Sequence, residues 1–526
     1  MSLIHRINKY ELLSMETSED WLFLEKRYKS PYRGGHVFSN IRRLVERLRC
    51  KTVLVENNYI DRDYRDEFSF LYSKTFKNYD SRCIRLHLFQ TEYAKIDEIK
   101  NLGYLGYIIM RPIDVGNVGR TVIYPWIIDP NKYYYLCTAS FKTHLFGKEL
   151  SVSGTPFIQQ DTMVIRCAQA SIWIALRFMK QAYDFPTYLP SQITISATKY
   201  LAWAGRTVPS EGLTAQQIVT ALNSLNYSPL LFTKQQFQQT GGKWEPVKLI
   251  YKYIESQIPV IAVVPQHAIT IIGHTFDPKP RSLLALIGQE KVVSSDNWVS
   301  GFIVHDDSLG PYRILPSAQY INQFKTGKEA DLLPPEKWLY KSIDDIQAII
   351  VPLPPKVYYP GSSVDTITQL IQVRTFLSFV YKSAVQGHQI AREFLSSLEP
   401  QMKNPLVLRS YFTLSEKYKK NLNKEPLCKE IAPTIRWEYK KMKMPRFIWV
   451  VEITNTSRFS KENEEERTIL GEALIDATAT RYGPAWLAIH LPGSLFLRDP
   501  DTEKGRHIPI PNDKPYHHPT RKLQPV

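Results

Sequence analysis

The sequence predicts an α+β protein with about three domains, and three observations support this. The chain has 526 residues, whereas a typical domain has roughly 100 to 200. Its composition, 43% hydrophobic and 22% charged, is typical of a globular chain and excludes the disordered and fibrous classes. Segments with the apolar spacing of helices are interspersed with short apolar runs that favour strands. We therefore expect helices and strands to be mixed within each domain.

The first 150 residues are predicted to form an N-terminal α+β domain. Residues 40–49 have the apolar spacing of an amphipathic helix, and residues 51–56 (KTVLVE) favour a short strand. Residues 104–113 and 121–128 favour two further strands, joined by a turn rich in glycine and asparagine. We find no pattern here that indicates a chemical function.

A second domain is predicted over residues 151–352. Its limit is the proline-rich run at 352–360 (PLPPKVYYP), because proline resists continuation of a helix or a sheet. The elements expected within it are helices at 167–181 and 214–225, followed by strands at 260–264 and 267–272.

A third, basic α+β domain is predicted over residues 361–500. Residues 366–398 favour helix, and 446–454 and 486–491 favour strands. Ten Lys and Arg residues but only four Glu lie between 415 and 446, so much of the formal charge of +16 is concentrated there. The remaining residues, 501–526, contain five prolines and many polar residues, and we expect a flexible tail.

Cys167 is the strongest candidate for a chemically active residue. The apolar residues Ala170, Ile174 and Phe178 recur at helical spacing after it, which predicts a buried helix that begins at the cysteine. Unpaired backbone N–H groups and the positive end of the helix dipole favour a thiolate at that position. The pattern therefore indicates a nucleophile.

A base and an orienting carboxylate follow later in the chain. His267 opens a predicted strand 100 residues after the cysteine and can take the proton of the thiol. Asp306 and Asp307 lie in a later segment, and either can accept a hydrogen bond from the second ring nitrogen of the histidine. The sequence leaves the choice between these two aspartates open.

Two glutamines precede the cysteine and are candidates for stabilising an oxyanion. Gln159 and Gln160 lie eight and seven residues before Cys167. A side-chain amide from either one, together with the backbone N–H of Cys167, would supply the donors that a tetrahedral intermediate needs. The four chemical roles then occur in the order Gln, Cys, His, Asp.

Between about residues 157 and 315 the chain resembles the papain-like cysteine peptidases, in particular the bacterial branch similar to bacteriocin-leader peptidases. The resemblance lies in Cys167 with Ala170-Ser171 and in the run His267-Ala-Ile-Thr-Ile-Ile-Gly273, which is similar to the family's His-Ala-Val motif. It implies a helical lobe packed on an antiparallel β lobe and a Cys-His-Asp triad. Arg166 and Ala168 depart from the residues common in the family, and the His-to-Asp interval is longer, which suggests an insertion at about 277–298.

The predicted function is that of a cysteine peptidase which hydrolyses a peptide or isopeptide bond, with a protein or peptide as substrate and a regulatory partner as a further expectation. One alternative is an acyltransferase or amidase with the same triad. The other is an inactive papain-like protein that binds nucleic acid or an acidic protein through its basic third domain.

We expect no cofactor and no metal. The sequence has no Gly-rich phosphate loop, no HExxH motif and no Gly-x-Ser-x-Gly elbow. A metal site at His305, Asp306 and Asp307 is disfavoured, because adjacent residues of a strand point to opposite faces.

The cysteines and the hydropathy predict a protein of the cytoplasm, and the resemblance to the bacterial branch of the family implies a bacterial source. The five cysteines form an odd, scattered set without a Cys-x-x-Cys pair, which argues against a disulfide framework. No apolar run approaches the roughly 18 residues of a membrane span, and the first residues lack the apolar core of a signal peptide. We therefore expect no association with a membrane.

Overall fold

The computed structural model describes residues 9–31, 35–125, 133–199, 207–208, 212–280, 292–327, 329–364, 374–399, 403–461, 466–480, 485–499 and 501–517. Parts of the predicted elements at 121–128, 277–298 and 366–398, and the end of the predicted tail, lie outside the described residues. The described residues form three multi-stranded sheets, a separate hairpin and helices packed on them, so the predicted mixed α+β class is confirmed.

The described helices are α1 Ser18–Tyr28, α2 His36–Arg47, α3 Arg62–Phe70, α4 Cys167–Tyr183, α5 Pro190–Thr198, α6 Ala215–Ser224, α7 Lys234–Gln239, α8 Pro246–Glu255, α9 Ile321–Lys325, α10 Gly361–Val364, α11 Arg374–Val385, α12 Gln389–Ser396, α13 Ser415–Asn421, α14 Leu427–Glu430, α15 Pro433–Lys441 and α16 Thr456–Phe459.

The described strands are β1 Tyr10–Ser14, β2 Thr52–Tyr59, β3 Cys83–Phe89, β4 Tyr104–Met110, β5 Val118–Ile123, β6 Tyr133–Leu136, β7 Ala139–Leu145, β8 Lys148–Gly154, β9 Leu230–Thr233, β10 Val260–Val264, β11 His267–Phe276, β12 Val292–Ser294, β13 Gly301–Asp306, β14 Gly310–Pro316, β15 Ala348–Val351, β16 Leu406–Leu414, β17 Phe447–Asn455, β18 Gly471–Asp476, β19 Trp486–Leu491, β20 Ser494–Arg498 and β21 Gly505–Pro509.

The first sheet has five antiparallel strands in the order β1-β2-β3-β4-β5. Helix α2 contributes Val37, Ile41, Leu44 and Val45 to the main hydrophobic core. These residues recur at the three- and four-residue intervals of a helix face, which is why the segment folds as an amphipathic helix. It begins four residues before the predicted helix, and its polar residues His36 and Asn40 contact the loop that follows β13.

The second sheet holds the strand that begins at His267. Its order is β14-β13-β11-β10-β15-β9, with antiparallel neighbours throughout. Helix α4 packs against β11, and nearly all of its residues from Ala168 to Met179 are buried. Most of these buried residues are apolar, which is why the helix lies inside the protein. The predicted strand at 260–264 is found with the same bounds.

The third sheet has the order β12-β16-β17-β18-β19-β20-β21. Two strands cross the predicted domain limits. Strand β6, from the first 150 residues, pairs with β11 in the second sheet, and β12, from residues 151–352, lies parallel to β16 in the third. The three regions are thus interleaved along their shared boundaries.

The expectation of a flexible tail is wrong for residues 501–517. Strand β21 pairs with β20, and Tyr516 is 1% exposed. The Asp513 carboxylate accepts hydrogen bonds from His490 Nε2 at 2.9 Å and from the Gly493 backbone at 3.0 Å. Proline cannot donate a backbone hydrogen bond and is therefore rare in the interior strands of a sheet, but an edge strand such as β21 tolerates it.

Buried ion pairs join the regions to one another. Arg409 on β16 donates through Nε to Glu255 at the end of α8 at 3.0 Å, and the other Glu255 oxygen lies 2.7 Å from His274 Nε2.

A further buried ion pair lies within the first region. Arg111, directly after β4, donates to both carboxylate oxygens of Glu67, at 3.1 and 2.9 Å, and both residues are almost fully buried.

Among the described residues, no helix has both the length and the apolar character required to cross a membrane.

Replacing Arg111 with methionine should strongly destabilise the protein. The substitution would leave the buried Glu67 carboxylate without its cation, a loss that typically costs about 3–5 kcal/mol. The matched control is Lys142→Met, which removes the cation of an exposed pair with Glu149 and should leave stability almost unchanged. Denaturant unfolding measures the stability of both variants. Equal unfolding midpoints for the two would contradict the large contribution to stability that we assign to the buried Arg111–Glu67 pair.

Candidate active site

Cys167 is the first residue of α4, and a turn organised by one carboxylate precedes it. The Oδ1 atom of Asp161 accepts the backbone N–H groups of Met163, Val164 and Ile165 at 2.8–2.9 Å. Arg166 then takes the extended N-cap conformation without a capping side chain. The chain therefore enters the helix at the cysteine, which is half-buried.

Residues of the first region support this turn through hydrogen bonds. Tyr72 donates to the second oxygen of Asp161 at 2.9 Å, and Arg111 Nη2 donates to the Gln159 carbonyl at 2.7 Å. Gly116 has a φ of +72°, and a Cβ there would lie 1.9 Å from the Gln160 carbonyl oxygen. Only glycine permits this approach, so the predicted turn between β4 and β5 is shaped to support the segment before the cysteine.

His267 is brought to Cys167 by the hairpin of β10 and β11. Val264 pairs with His267, which leaves a two-residue turn whose second residue, Gln266, has a φ of 57°. The side chain of Cys167 is among the groups that raise the pKa of His267, so the thiol and the imidazole interact. The Nε2 atom of the imidazole lies 3.0 Å from Asp306 Oδ1, which leaves Nδ1 for the thiol.

Asp306 is the partner of the imidazole. Its Oδ1 also accepts the backbone N–H groups of Ser308 at 2.8 Å and Leu309 at 3.1 Å, and Tyr340 donates its hydroxyl to Oδ2. The side chain has no exposure to solvent. Burial raises the pKa of Asp306, but the charge of His267 and these hydrogen bonds lower it more, so the net shift is downward.

Asp307 lies beside the same imidazole but is held differently. Its Oδ1 is 3.3 Å from His267 Nε2, and the residue is 2% exposed. Burial and the neighbouring Asp306 charge outweigh the attraction of His267 and raise the pKa of Asp307 to about 7. At neutral pH, Asp306 therefore carries a full negative charge, whereas Asp307 is partly protonated.

The two carboxylates keep the imidazole charged. Burial opposes a charge on His267, but the negative charges of Asp306 and Asp307 outweigh it, and the pKa of His267 lies well above its usual range. The side chain is only 9% exposed, so water screens these attractions weakly.

The two candidate glutamines occupy different environments. Gln159 is 2% exposed, and its Oε1 accepts the Val118 backbone N–H at 3.2 Å, which fixes it to β5. Gln160 is half-buried, and its Nε2 donates to Ser308 Oγ at 2.7 Å, beside the two aspartates. The Gln160 amide thus contacts the loop that carries the carboxylates, whereas the Gln159 amide oxygen contacts β5.

Two aromatic residues at the site were not found from the sequence. The ring of Tyr340 stacks on that of His267, with centroids 6.1 Å apart and an interplanar angle of 17°. Trp338 meets the same imidazole edge-on at 5.7 Å. Both lie in an irregular segment, residues 333–342, whose spacing gives no signal of a site. They limit the access of water to the His267–Asp306 hydrogen bond.

The first region also supports the loop after β13. His36 Nε2 lies 2.5 Å from the Ser308 carbonyl oxygen, and Asn40 donates to the Leu309 carbonyl at 2.7 Å. Both residues belong to α2. One region therefore contacts both the segment before the cysteine and the loop that carries the carboxylates.

Among the described residues, one group of three side chains lies close enough to ligate a metal ion. These are His267, Asp306 and Asp307, whose ligand atoms lie within 4.8 Å of one another. The sequence disfavoured a metal site that included His305. That residue is buried, and its Nδ1 lies 3.2 Å from the Pro156 carbonyl oxygen. Asp306 already accepts four hydrogen bonds, which makes it a poorly available ligand.

The other cysteines differ from Cys167 in their surroundings. Cys50, Cys83 and Cys137 are buried, and burial raises the pKa of Cys50 to about 12 and that of Cys83 above its usual range. Cys428 is half-buried like Cys167, but it lies in the third region. It is therefore a natural reference for thiol accessibility.

The basic segment at 415–446 carries less unpaired charge than its composition indicates. Four of its lysines form ion pairs with carboxylates: Lys420, Lys429, Lys441 and Lys443. Trp437, on α15, is 64% exposed. A nucleic-acid surface in this segment remains a prediction.

No protein-family model matches the chain, and a search of curated proteins finds no match, so the geometry around Cys167 is the evidence that bears on its function.

Proposed function

We propose that residues 151–352 form a papain-like cysteine peptidase domain, flanked by an N-terminal α+β region and a basic C-terminal one, and that the protein hydrolyses a peptide or isopeptide bond. The observation that carries the proposal is the buried His267–Asp306 contact of 3.0 Å, in which the imidazole also interacts with Cys167 at the start of α4. The five free cysteines support a reducing compartment, the cytoplasm.

The first chemical step is attack by the thiolate. Cys167 Sγ bonds to the carbonyl carbon of the substrate, and the carbonyl oxygen takes up the negative charge. The Cys167 backbone N–H lies in the unpaired first turn of α4 and can donate to that oxygen. Gln160 is the better candidate for a second donor, because its amide lies at the loop of the two aspartates.

Collapse of this intermediate breaks the carbon–nitrogen bond. The His267 imidazolium gives its proton to the leaving amine, and an acyl-enzyme remains on Cys167. The neutral imidazole then takes a proton from water, which attacks the thioester and releases the acid. Asp306 holds the ring in one orientation throughout through the 3.0 Å contact with Nε2.

The same triad could pass the acyl group to an amine instead of water. An assay with a primary amine distinguishes the two outcomes, because transfer yields an amide and hydrolysis yields a free acid. We propose hydrolysis as the principal activity.

Covalent labelling tests the nucleophile. A peptide carrying a thiol-directed electrophile should react with Cys167 and not with Cys428, because only the former contacts an imidazolium. Cys167→Ala should abolish the label. His267→Ala should slow it about 100-fold or more, which is the usual contribution of a general acid–base. Mass spectrometry of the digested protein measures both, and equal labelling of Cys167 and Cys428 would argue against the proposal.

The pH dependence of peptide hydrolysis tests the two aspartates. Because the pKa of His267 is raised, the imidazolium that protonates the leaving amine should persist through neutral pH, and the hydrolysis rate should fall only as the pH rises through that elevated value. Asp306→Asn removes the larger attraction and should move this alkaline limb to lower pH. Asp307→Asn should move it less, since Asp307 is partly protonated near pH 7. Identical profiles for the two variants would contradict the assignment of Asp306.

A further inference from the structure

Trp437 on α15 is exposed, unlike the other tryptophans of the described residues. Its side chain is 64% exposed, whereas the others are buried or half-buried. Ile435 and Tyr439 anchor α15 to a hydrophobic core of the third region, and Trp437 is not part of that core. The indole therefore faces solvent from a fixed helix. Tryptophan in such a position is typical of binding surfaces.

Four basic residues without a carboxylate partner lie on α15 and on the segment that precedes it. Within the part of the chain that the structure describes, the ion pairs of residues 415–446 use other cations. The four residues that remain are Lys419 on α13, Lys424 between α13 and α14, and Arg436 and Lys440 on α15.

Hydrogen bonds bring the segment with Lys424 against α15. Arg436 Nη1 donates to the Cys428 carbonyl at 2.5 Å, and the Cys428 backbone N–H donates to the Lys424 carbonyl at 2.9 Å. Arg436 directly precedes Trp437 in the helix. Two of the four cations are thus held near the exposed indole.

The other two cations lie towards the end of α15. Lys440 follows Trp437 by three residues, and residues at this spacing are neighbours on a helix surface. Lys419 Nζ donates to the carbonyl of Met442, the residue directly after α15, at 2.6 Å. We call Trp437 and the four cations the α15 patch.

The carboxylates of the same segment already have partners. Three of them pair with a lysine three or four residues away, at 2.6 or 2.7 Å: Glu416 with Lys420, Glu425 with Lys429 and Glu438 with Lys441. The fourth, Glu430, accepts the His517 backbone N–H at 2.7 Å. The charge that remains for a ligand of the α15 patch is therefore positive.

We propose that the α15 patch binds single-stranded nucleic acid. One base stacks on the Trp437 indole, and phosphates contact the four cations. An acidic protein would satisfy the cations but has no base to place on the indole, so the exposed ring favours nucleic acid. Bases of a single strand are free to stack on an aromatic side chain, whereas those of a duplex are stacked on one another. Because every base has an aromatic face, the binding tolerates any sequence.

Fluorescence anisotropy of a labelled oligothymidylate tests the proposal on the full chain. A strand of about 16 nucleotides is long enough for a single-strand site. We expect saturable binding, with a slope of about −3 for the logarithm of the binding constant against that of the salt concentration if all four cations contact phosphates. A duplex of the same length should bind at least about tenfold more weakly. Polyglutamate at an equal concentration of negative charge should not displace the strand.

Two substitutions in the α15 patch separate stacking from charge. Trp437→Ala should weaken binding at least about fivefold, through the loss of one stacked base. Lys440→Gln should reduce the steepness of the salt dependence by about 0.7, through the loss of one phosphate contact. Both side chains lie outside the core, so neither change should lower the midpoint of denaturant unfolding.

The matched controls are Tyr381→Ala and Lys382→Gln on α11. Tyr381 is also 64% exposed, and Lys382 is exposed beside it. Helix α11 packs on Phe496 of β20 through Phe379, whereas the neighbouring strand residue Leu495 belongs to the core beneath α15. Adjacent residues of a strand point to opposite faces, so the controls lie across the third sheet from the α15 patch. They should bind the strand like the wild type.

Four results would overturn the proposal. These are absence of binding at low salt, equal affinity of Trp437→Ala and Tyr381→Ala, equal affinity for the duplex, and displacement by polyglutamate, which would point to an acidic protein instead. Labelling of Cys167 should be unchanged in all four variants. A failure of the proposed peptidase activity and a failure of nucleic-acid binding therefore give different results.

Discussion

A single carboxylate with no exposure to solvent constrains the arrangement of the candidate site. Buried charge is tolerated only when it is paired and hydrogen-bonded. Asp306 meets this requirement with four donors from three parts of the chain: the His267 imidazole, the Tyr340 hydroxyl and two backbone N–H groups of the loop after β13. Three parts of the chain must therefore converge on the Asp306 carboxylate: the loop after β13, the segment that carries Tyr340 and the hairpin that carries His267. Their convergence sets the position of the imidazole relative to Cys167.

The first region contributes to the arrangement of the candidate site through direct contacts with it. Helix α2 contacts the loop after Asp306 through His36 and Asn40, while Arg111 and Tyr72 hold the turn before Cys167. Asp63 on α3 also accepts two hydrogen bonds from Arg177 of α4. The helix that begins at Cys167 and the loop that carries Asp306 are thus both fixed to the first region, so their separation depends on the folding of that region.

Local patterns predicted several of the elements. The apolar runs at 260–264 and 486–491 form strands with the expected bounds, and the expected helix at 167–181 is two residues longer at its end. These elements are buried and strongly periodic, so local sequence and burial favour the same structure. The partners of β6 and β12 and the packing of residues 501–517 were not predicted, because strand pairing joins residues far apart in sequence, and periodicity carries no information about them.

At the site, the sequence by itself identified the residue types and their order: a cysteine at the start of an apolar helix, a histidine at the start of a strand, two aspartates and two glutamines. Helix dipole and strand periodicity are local properties, so a local pattern can reveal them. Only the tertiary structure distinguished Asp306 from Asp307, placed Gln160 at the loop of the aspartates and brought Trp338 and Tyr340 onto the imidazole. Each of these depends on distances across the fold and on the loss of water around buried charge, and neither is encoded in the spacing of residues along the chain.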